Sequence, residues 1–209
     1  MTDRWVILDA MGVVFEVADD TGRLLAPFLR VYNGGLTNET VTDLYRRASL
    51  GQISPAQFWQ AAGLESRYPG IEHDYLDSLL RLDTGFRRAA AALGRTHRLA
   101  LCSNDVGHWS EHLRERHGLD KVFAHAVISG DVGCRKPDRR IYEVLLERLG
   151  ADPAACVMVD DRTRNLAPAA ALGMKTIHFA RESTNGDFLA DAEIRSFDDL
   201  PAAVARLMG

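Results

Sequence analysis

Apolar and polar residues fall in blocks along this 209-residue chain. The first block, Trp5-Val6-Ile7-Leu8, is too short for a buried helix and lacks the in/out alternation of a half-exposed strand. It predicts a central strand buried on both faces. The block ends in Asp9, and Gly12 follows three residues later. From Glu16 to about Gly85 the period becomes helical. Leu24, Leu25, Phe28 and Leu29 share one face, with Pro27 blurring where that helix begins. A second helix is expected over Glu39 to Ser49, with Val41, Leu44 and Tyr45 inward and Gly51 closing it. Ser54-Pro55-Ala56-Gln57 combines a capping Ser, a first-turn Pro and a Gln three residues on, and so predicts a third helix carrying Phe58, Trp59 and Ala62. After the turn at Tyr68-Pro69-Gly70, Ile71, Tyr75, Leu79 and Leu82 form another stripe. No strand is needed anywhere in this stretch.

Beyond Phe86, helices and strands alternate. A helix to Leu93 stops at Gly94, and Leu99-Ala100-Leu101-Cys102 reads as a strand ending in Ser103-Asn104-Asp105. A helix from about Val106 to His117 precedes a short strand at Ala126-Val127-Ile128. Lys136-Pro137-Asp138 opens a helix through Leu149, and Val157-Met158-Val159 ends in Asp160-Asp161. A helix with Pro168 in its first turn closes at Gly173. Thr176-Ile177-His178-Phe179 is a fifth strand, and Ile194 to Phe197 is expected as a short edge strand before the last helix. Such alternation implies right-handed crossovers and a mainly parallel, three-layer α/β sheet. The expected division is a core of residues 1–15 and 86–209 with an inserted helical cap at 16–85.

Composition narrows the function. With 46% hydrophobic and 26% charged residues the chain can bury a full core. A net charge of −4 gives no electrostatic footprint for nucleic acid or an acidic membrane. The N-terminal apolar run is cut at Asp9, so no signal peptide is expected, and no stretch is long enough to span a membrane. Cys102, Cys134 and Cys156 follow no metal-ligand spacing and read as reduced thiols, which together predicts a cytoplasmic protein. A monomer or homodimer is expected.

The chemistry lies at the strand ends. Three apolar runs end in short polar residues, at Asp9, Ser103-Asn104 and Asp160-Asp161, and parallel strands present such ends on one edge. Two carboxylates from separate strands make an oxygen-rich site suited to Mg²⁺, which keeps waters and substrate phosphate among its ligands. Ser103 and the backbone N–H groups after it suit a phosphate oxygen, and Lys136 suits the charge on a nucleophile and phosphoryl group. Asp and Ser after strands also serve as helix caps, but their joint occurrence in this order favours a site.

This set resembles the haloacid dehalogenase superfamily over nearly the whole chain, with four motifs in order and a helical cap between the first two. Its most specific parts are Asp160-Asp161-Arg162-Thr163-Arg164-Asn165 and the run from Arg135 to Tyr142. The resemblance implies a Rossmann-like catalytic core and a hydrolase. It implies Asp9 as a nucleophile forming a covalent aspartyl intermediate, Ser103 holding the transferring group with the backbone at Asn104, and Lys136 stabilising the charge. It implies Mg²⁺ bound by Asp9, Asp161 and the carbonyl oxygen of Met11, with Asp160, Asn165 and Gly12 in support. One departure stands out: phosphatases of the superfamily usually carry a second Asp two residues after the nucleophile, where this chain has Met11. Met11 supplies the backbone carbonyl but not the carboxyl that acts as general acid/base.

Three functions are therefore expected in order. The first is a Mg²⁺-dependent phosphatase of a small phosphorylated molecule. The second is a metal-independent 2-haloacid dehalogenase, which needs no acid. The third is a degenerate member that binds a phosphorylated ligand or protein partner. The phosphonate-cleaving branch uses a cap lysine, and residues 16–85 contain none. His108 and His112 at helical spacing read as a solvated face rather than a zinc site, and Phe58 and Trp59 as cap core. Glu16, Asp19 and Asp20 read as a polar loop near the site mouth in preference to a replacement for the missing acid, and Arg46 and Arg47 as a solvated helix face in preference to a contact from the cap to an anionic substrate.

Overall fold

The computed structural model describes residues 3–181 and 188–209. Its centre is a six-stranded parallel sheet of β1 (Trp5–Leu8), β2 (Arg98–Ser103), β3 (His125–Ile128), β4 (Cys156–Asp160), β5 (Lys175–Phe179) and β6 (Ala192–Ile194), in the order β3-β2-β1-β4-β5-β6. This is a doubly wound, Rossmann-like arrangement, and the strand order reverses at β1. β1 is apolar throughout, and Leu99–Cys102 of β2 and Cys156–Val159 of β4 are equally apolar, because the sheet is buried on both sides. Val6, Leu8, Leu101 and Val159 join one apolar cluster, whereas Trp5, Ile7, Ala100, Cys102 and Met158 join the other. Alternate residues of one strand thus serve opposite layers, which removes the polar half of the usual alternation.

Around the sheet lie α5 (Phe86–Leu93), α6 (Gly107–Arg116), the short α7 (Ser129–Val132), α8 (Arg139–Leu149), α9 (Thr163–Ala171) and α10 (Leu200–Met208). Between β1 and α5 come a π-helical turn (Thr21–Leu25), α1 (Ala26–Tyr32), α2 (Asn38–Ala48), α3 (Pro55–Ala61) and α4 (Gly70–Leu79). The start of α3 has the expected capping box: Ser54 accepts from the Gln57 N–H while the Gln57 side chain accepts from the Ser54 N–H.

Three local expectations need correction. Pro168 is not in a first turn but is the sixth residue of α9, where the ring costs a backbone donor inside the helix. The edge strand is Ala192–Ile194 rather than Ile194–Phe197; the stretch after Ile194 leaves the sheet, and Phe197 instead packs on Phe86 and Phe179. The stretch 16–85 also takes part in one strand-like bridge, Phe15 with Leu82, beside which Glu16 N–H donates to the Arg81 carbonyl. That bridge ties together the two chain passages leading into and out of the helices α1–α4.

Those helices are fastened to α6 through an aromatic cluster. Phe58, Trp59 and Tyr75 pack on Trp109 with ring centroids 5.3–6.1 Å apart. Both tryptophan N–H groups donate to one oxygen of the fully buried Glu72, at 2.7 and 2.6 Å. Phe58 and Trp59 are thus core residues, as expected.

Candidate active site

The strand ends meet where the topology says they should. β1 pairs with β2 on one side and β4 on the other, with Leu8 opposite both Leu101 and Val159. The next residue, Asp9, therefore stands level with Cys102, one residue short of Ser103, on one side and with Asp160 on the other, and its N–H still donates to the Val159 carbonyl at 2.9 Å. Asp9, Met11, Ser103, Asn104, Lys136, Asp161 and Asn165 all line one cavity of about 600 Å³.

Lys136 is the hub. Its ammonium lies 2.8 Å from Asp9 Oδ1 and 2.6 Å from Asp160 Oδ2, and the side chain is wholly buried. Burial alone would discourage its charge, but Asp160 and Asp9 hold it protonated beyond the ordinary lysine range. The loop carrying it is pinned by Asn104, which accepts from the Lys136 N–H at 2.8 Å and donates to the Lys136 carbonyl at 2.9 Å. The sequence reading used only the backbone of Asn104; its side chain positions the lysine across 32 residues, a contact with no sequence signal.

The three carboxylates are not equivalent. Asp160 is committed to the protein, accepting from Lys136, from the Arg162 N–H at 2.9 Å and from Asn165 Nδ2 at 3.0 Å. Asp9 Oδ1 accepts from Lys136 and from the Ala10 N–H at 2.7 Å, while Oδ2 has no donor among the described residues. Asp161 Oδ1 is buried with no hydrogen-bond partner among the described residues. Ligand oxygens of Asp9, Asp160 and Asp161 lie within 4.8 Å of one another, the only such ligand group found among the described residues. Burial pushes the Asp9 carboxyl up to about 7 against the pull of Lys136. Burial, then Asp9 and Asp160, push Asp161 up to about 8. Two carboxyls share one buried ammonium, and the third has a buried oxygen left without a donor among the described residues. That is a donor set a hard divalent cation fits.

Gly12 explains itself here. Its φ is +79°, and an added Cβ would lie 2.7 Å from the Asp161 carboxyl, so only glycine lets this loop pass the acid. Arg181 clamps the same loop from 169 residues away, donating to the carbonyls of Gly12 and Val13 at 2.9 and 2.8 Å and pairing with Asp83 at 2.5 Å.

Other residues fall where the sequence reading did not put them. Arg46 lines the cavity, so it is not simply a solvated helix face, whereas Arg47 does not line it. His112 pairs with Asp77 at 2.7 Å and His108 approaches Glu72 at 3.5 Å, so the two serve the contact between α6 and α4, not a zinc site. Asp20 is buried in the cavity wall instead of lying in an open polar loop. Burial pushes its carboxyl up to about 6, a backbone donor at Thr21 and the Arg162 charge pull it down, and Asp19 pushes it up. Its charge also reaches Tyr45, Tyr75 and Asp105.

A stability prediction follows from Asp20. Its folded-state value lies above the ordinary 3.8, so the protonated acid favours the fold. That contribution is complete below about pH 4 and is lost as pH rises through about 6. In EDTA, Asp20→Asn should unfold later than the parent at pH 7.5, by on the order of 1–3 kcal/mol. The two unfolding curves should converge at pH 4; an equal gap at both pH values would contradict this.

Known proteins place the geometry. Residues 6–173 match the family model for haloacid dehalogenase-like hydrolases. The chain is 27% identical over 153 residues to the sesquiterpene phosphatase AstK of Aspergillus oryzae, covering 69% of this chain and 75% of that protein. It is 29% identical over 130 residues to a glyceraldehyde 3-phosphate phosphatase of Methanopyrus kandleri, spanning 61% of this chain and about half, 49%, of that one. A 2-haloacid dehalogenase structure from Pseudomonas syringae superposes with a TM-score of 0.73 over 98% of this chain and 99% of that one, at 20% identity. The matched fold, motifs and strand-end site leave one assignment: the chain belongs to the haloacid dehalogenase-like hydrolases.

Proposed function

We propose that this hydrolase is a Mg²⁺-dependent phosphatase of small phosphorylated metabolites, working through an aspartyl-phosphate on Asp9. One observation carries the reading: a carboxylate held by a buried lysine stands beside a second carboxylate whose buried oxygen has no hydrogen-bond partner among the described residues. Dehalogenation needs only the first, and the cost of a buried, unpaired carboxylate oxygen favours the metal reading.

Asp9 Oδ2, free of donors, attacks phosphorus while Oδ1 stays on Lys136 and the Ala10 N–H. The bond to the leaving oxygen breaks, and water then attacks the same phosphorus and frees Asp9. Ser103, buried at the end of β2 and lining the cavity, and the N–H after it hold phosphoryl oxygens. Lys136 keeps two carboxylates and the phosphoryl group at close quarters without deprotonating. Asp9, Asp161 and the Met11 carbonyl would hold Mg²⁺, which supplies Lewis-acid charge stabilisation on the phosphoryl oxygens when bound. Asp160, fully engaged with Lys136, Arg162 and Asn165, orients the lysine. Helices α1–α4 act as a cap over the site, within 16–85.

Thermal unfolding tests this most simply. Mg²⁺ at about a hundredfold over its dissociation constant should stabilise the parent by roughly 2.7 kcal/mol. Asp161→Ala should abolish that gain and the activity on aryl phosphates. Equal Mg²⁺ stabilisation in parent and variant would mean that the ion sits elsewhere.

A further inference from the structure

Four guanidinium groups line the same cavity. Arg46 comes from α2, Arg135 directly precedes Lys136, and Arg162 and Arg164 flank the start of α9. They lie within electrostatic range of one another: after burial, the charges of Arg46, Arg162 and Arg164 hold Arg135 below the usual arginine range. Arg135 donates to Ser49 Oγ at 2.8 Å, and Arg162 donates to the Ala18 carbonyl at 2.9 Å and lies 3.8 Å from Asp161. The guanidinium groups of Arg46 and Arg164 make no hydrogen bond or ion pair with any described residue.

The carboxylates of the cavity do not answer these two charges. Asp9 faces Lys136, and Asp161 is the orphaned acid of the metal set. Asp19 accepts from the Gly22 N–H, and Asp138 caps α8 through the Arg140 N–H. Asp20 faces Arg162, whose charge favours its ionised form. Like charges gathered this closely repel, and in a chain of net charge −4 their clustering at one pocket is not a by-product of general basicity. The scissile phosphate is already served by Ser103, Lys136 and the metal ligands. A planar guanidinium fork is suited to a carboxylate or phosphate oxygen pair.

Building on the phosphatase reading, we propose that the substrate carries a second anionic group, a carboxylate or a further phosphoryl group, bound by Arg46 and Arg164 with Arg135 and Arg162 beside them. A cavity of about 600 Å³ admits a small metabolite with an anion at each end. Because Arg46 belongs to α2 and Arg164 to α9, the second anion bridges the helices over the site to the catalytic core. Substrates with one phosphate and an otherwise neutral body lose that bridge.

The test uses matched benzylphosphonates that cannot turn over, titrated calorimetrically into the whole protein with Mg²⁺. The set comprises 4-carboxybenzylphosphonate, its carboxamide and the 1,4-bis(phosphonomethyl)benzene analogue, and p-nitrophenyl phosphate hydrolysis is followed in parallel. The carboxylate or the bisphosphonate should bind roughly 10-fold or more tightly than the carboxamide. Whichever binds tighter identifies the second anion. In folded Arg46→Gln/Arg164→Gln the ratio should fall towards one, and in Arg206→Gln, on exposed α10 surface, it should keep the parent value. A ratio near one in the parent overturns the proposal while the phosphatase reading stands on p-nitrophenyl phosphate hydrolysis. Failure of all three phosphonates to bind also overturns it. If p-nitrophenyl phosphate is not hydrolysed but the ratio holds, the phosphatase reading falls and the anion site remains.

Discussion

Asp9→Asn should lower aryl-phosphate hydrolysis by roughly 10⁴-fold or more while leaving the protein folded. Asparagine keeps the size and the oxygen that faces Lys136 and the Ala10 N–H, but it offers no anionic oxygen to phosphorus. The fold should tolerate the change well. Asp9 is one of two carboxyls on a single buried ammonium, and its burial already works against its ionisation. Removing it leaves Lys136 paired with Asp160 and relieves the repulsion that raises Asp161. The metal-free variant should therefore be at least as stable as the parent near neutral pH. A variant within tenfold of the parent rate would remove Asp9 from the nucleophile's role.

Met11→Asp should raise alkyl-phosphate turnover by roughly 10²-fold or more. An alkyl alkoxide leaves only with a proton, whereas an aryl oxide or carboxylate leaves as a stable anion. Met11 lines the cavity and offers no proton, so the parent should prefer aryl or acyl phosphates over sugar phosphates. Restoring a carboxyl at position 11 keeps the backbone carbonyl and adds the acid. Aryl-phosphate cleavage should change less where formation of the aspartyl intermediate limits the rate, and a burst experiment checks that condition. Met11 is 7% exposed, so the new carboxyl is largely buried and folding must be measured alongside. A folded, metal-binding variant with no gain on any ester would contradict the phosphatase reading.

What the sequence made legible has a simple physical basis. β1, β2 and β4 announce themselves because strands buried on both faces lose polar alternation, and their C-terminal ends place Asp9, Ser103 and Asp160-Asp161 on one edge. Local chemistry was equally visible at Ser54-Pro55-Ala56-Gln57. What stayed hidden depends on contacts far apart in the chain. Arg181 reaching Gly12, Asn104 holding Lys136 and Arg46 turning into the cavity have no periodic signal. The division of labour between Asp160 and Asp161 was expected from the resemblance alone. In the structure it rests on which acid the neighbouring donors reach: Asp160 is saturated, and Asp161 is left with a bare oxygen. Pro168 is misleading because proline usually marks a helix start, yet α9 begins five residues earlier, just after Asp160-Asp161-Arg162.

The most direct test of the aspartyl-phosphate is to mix the parent protein with an aryl phosphate and Mg²⁺, quench in acid during the first turnovers, and map the phosphoryl group by mass spectrometry. The account predicts an adduct on the peptide containing Asp9, formed as fast as the first equivalent of phenol is released. It should be absent in EDTA and in Asp9→Asn. Steady hydrolysis with no adduct at Asp9, or an ester formed there from a 2-haloacid without metal, would contradict it.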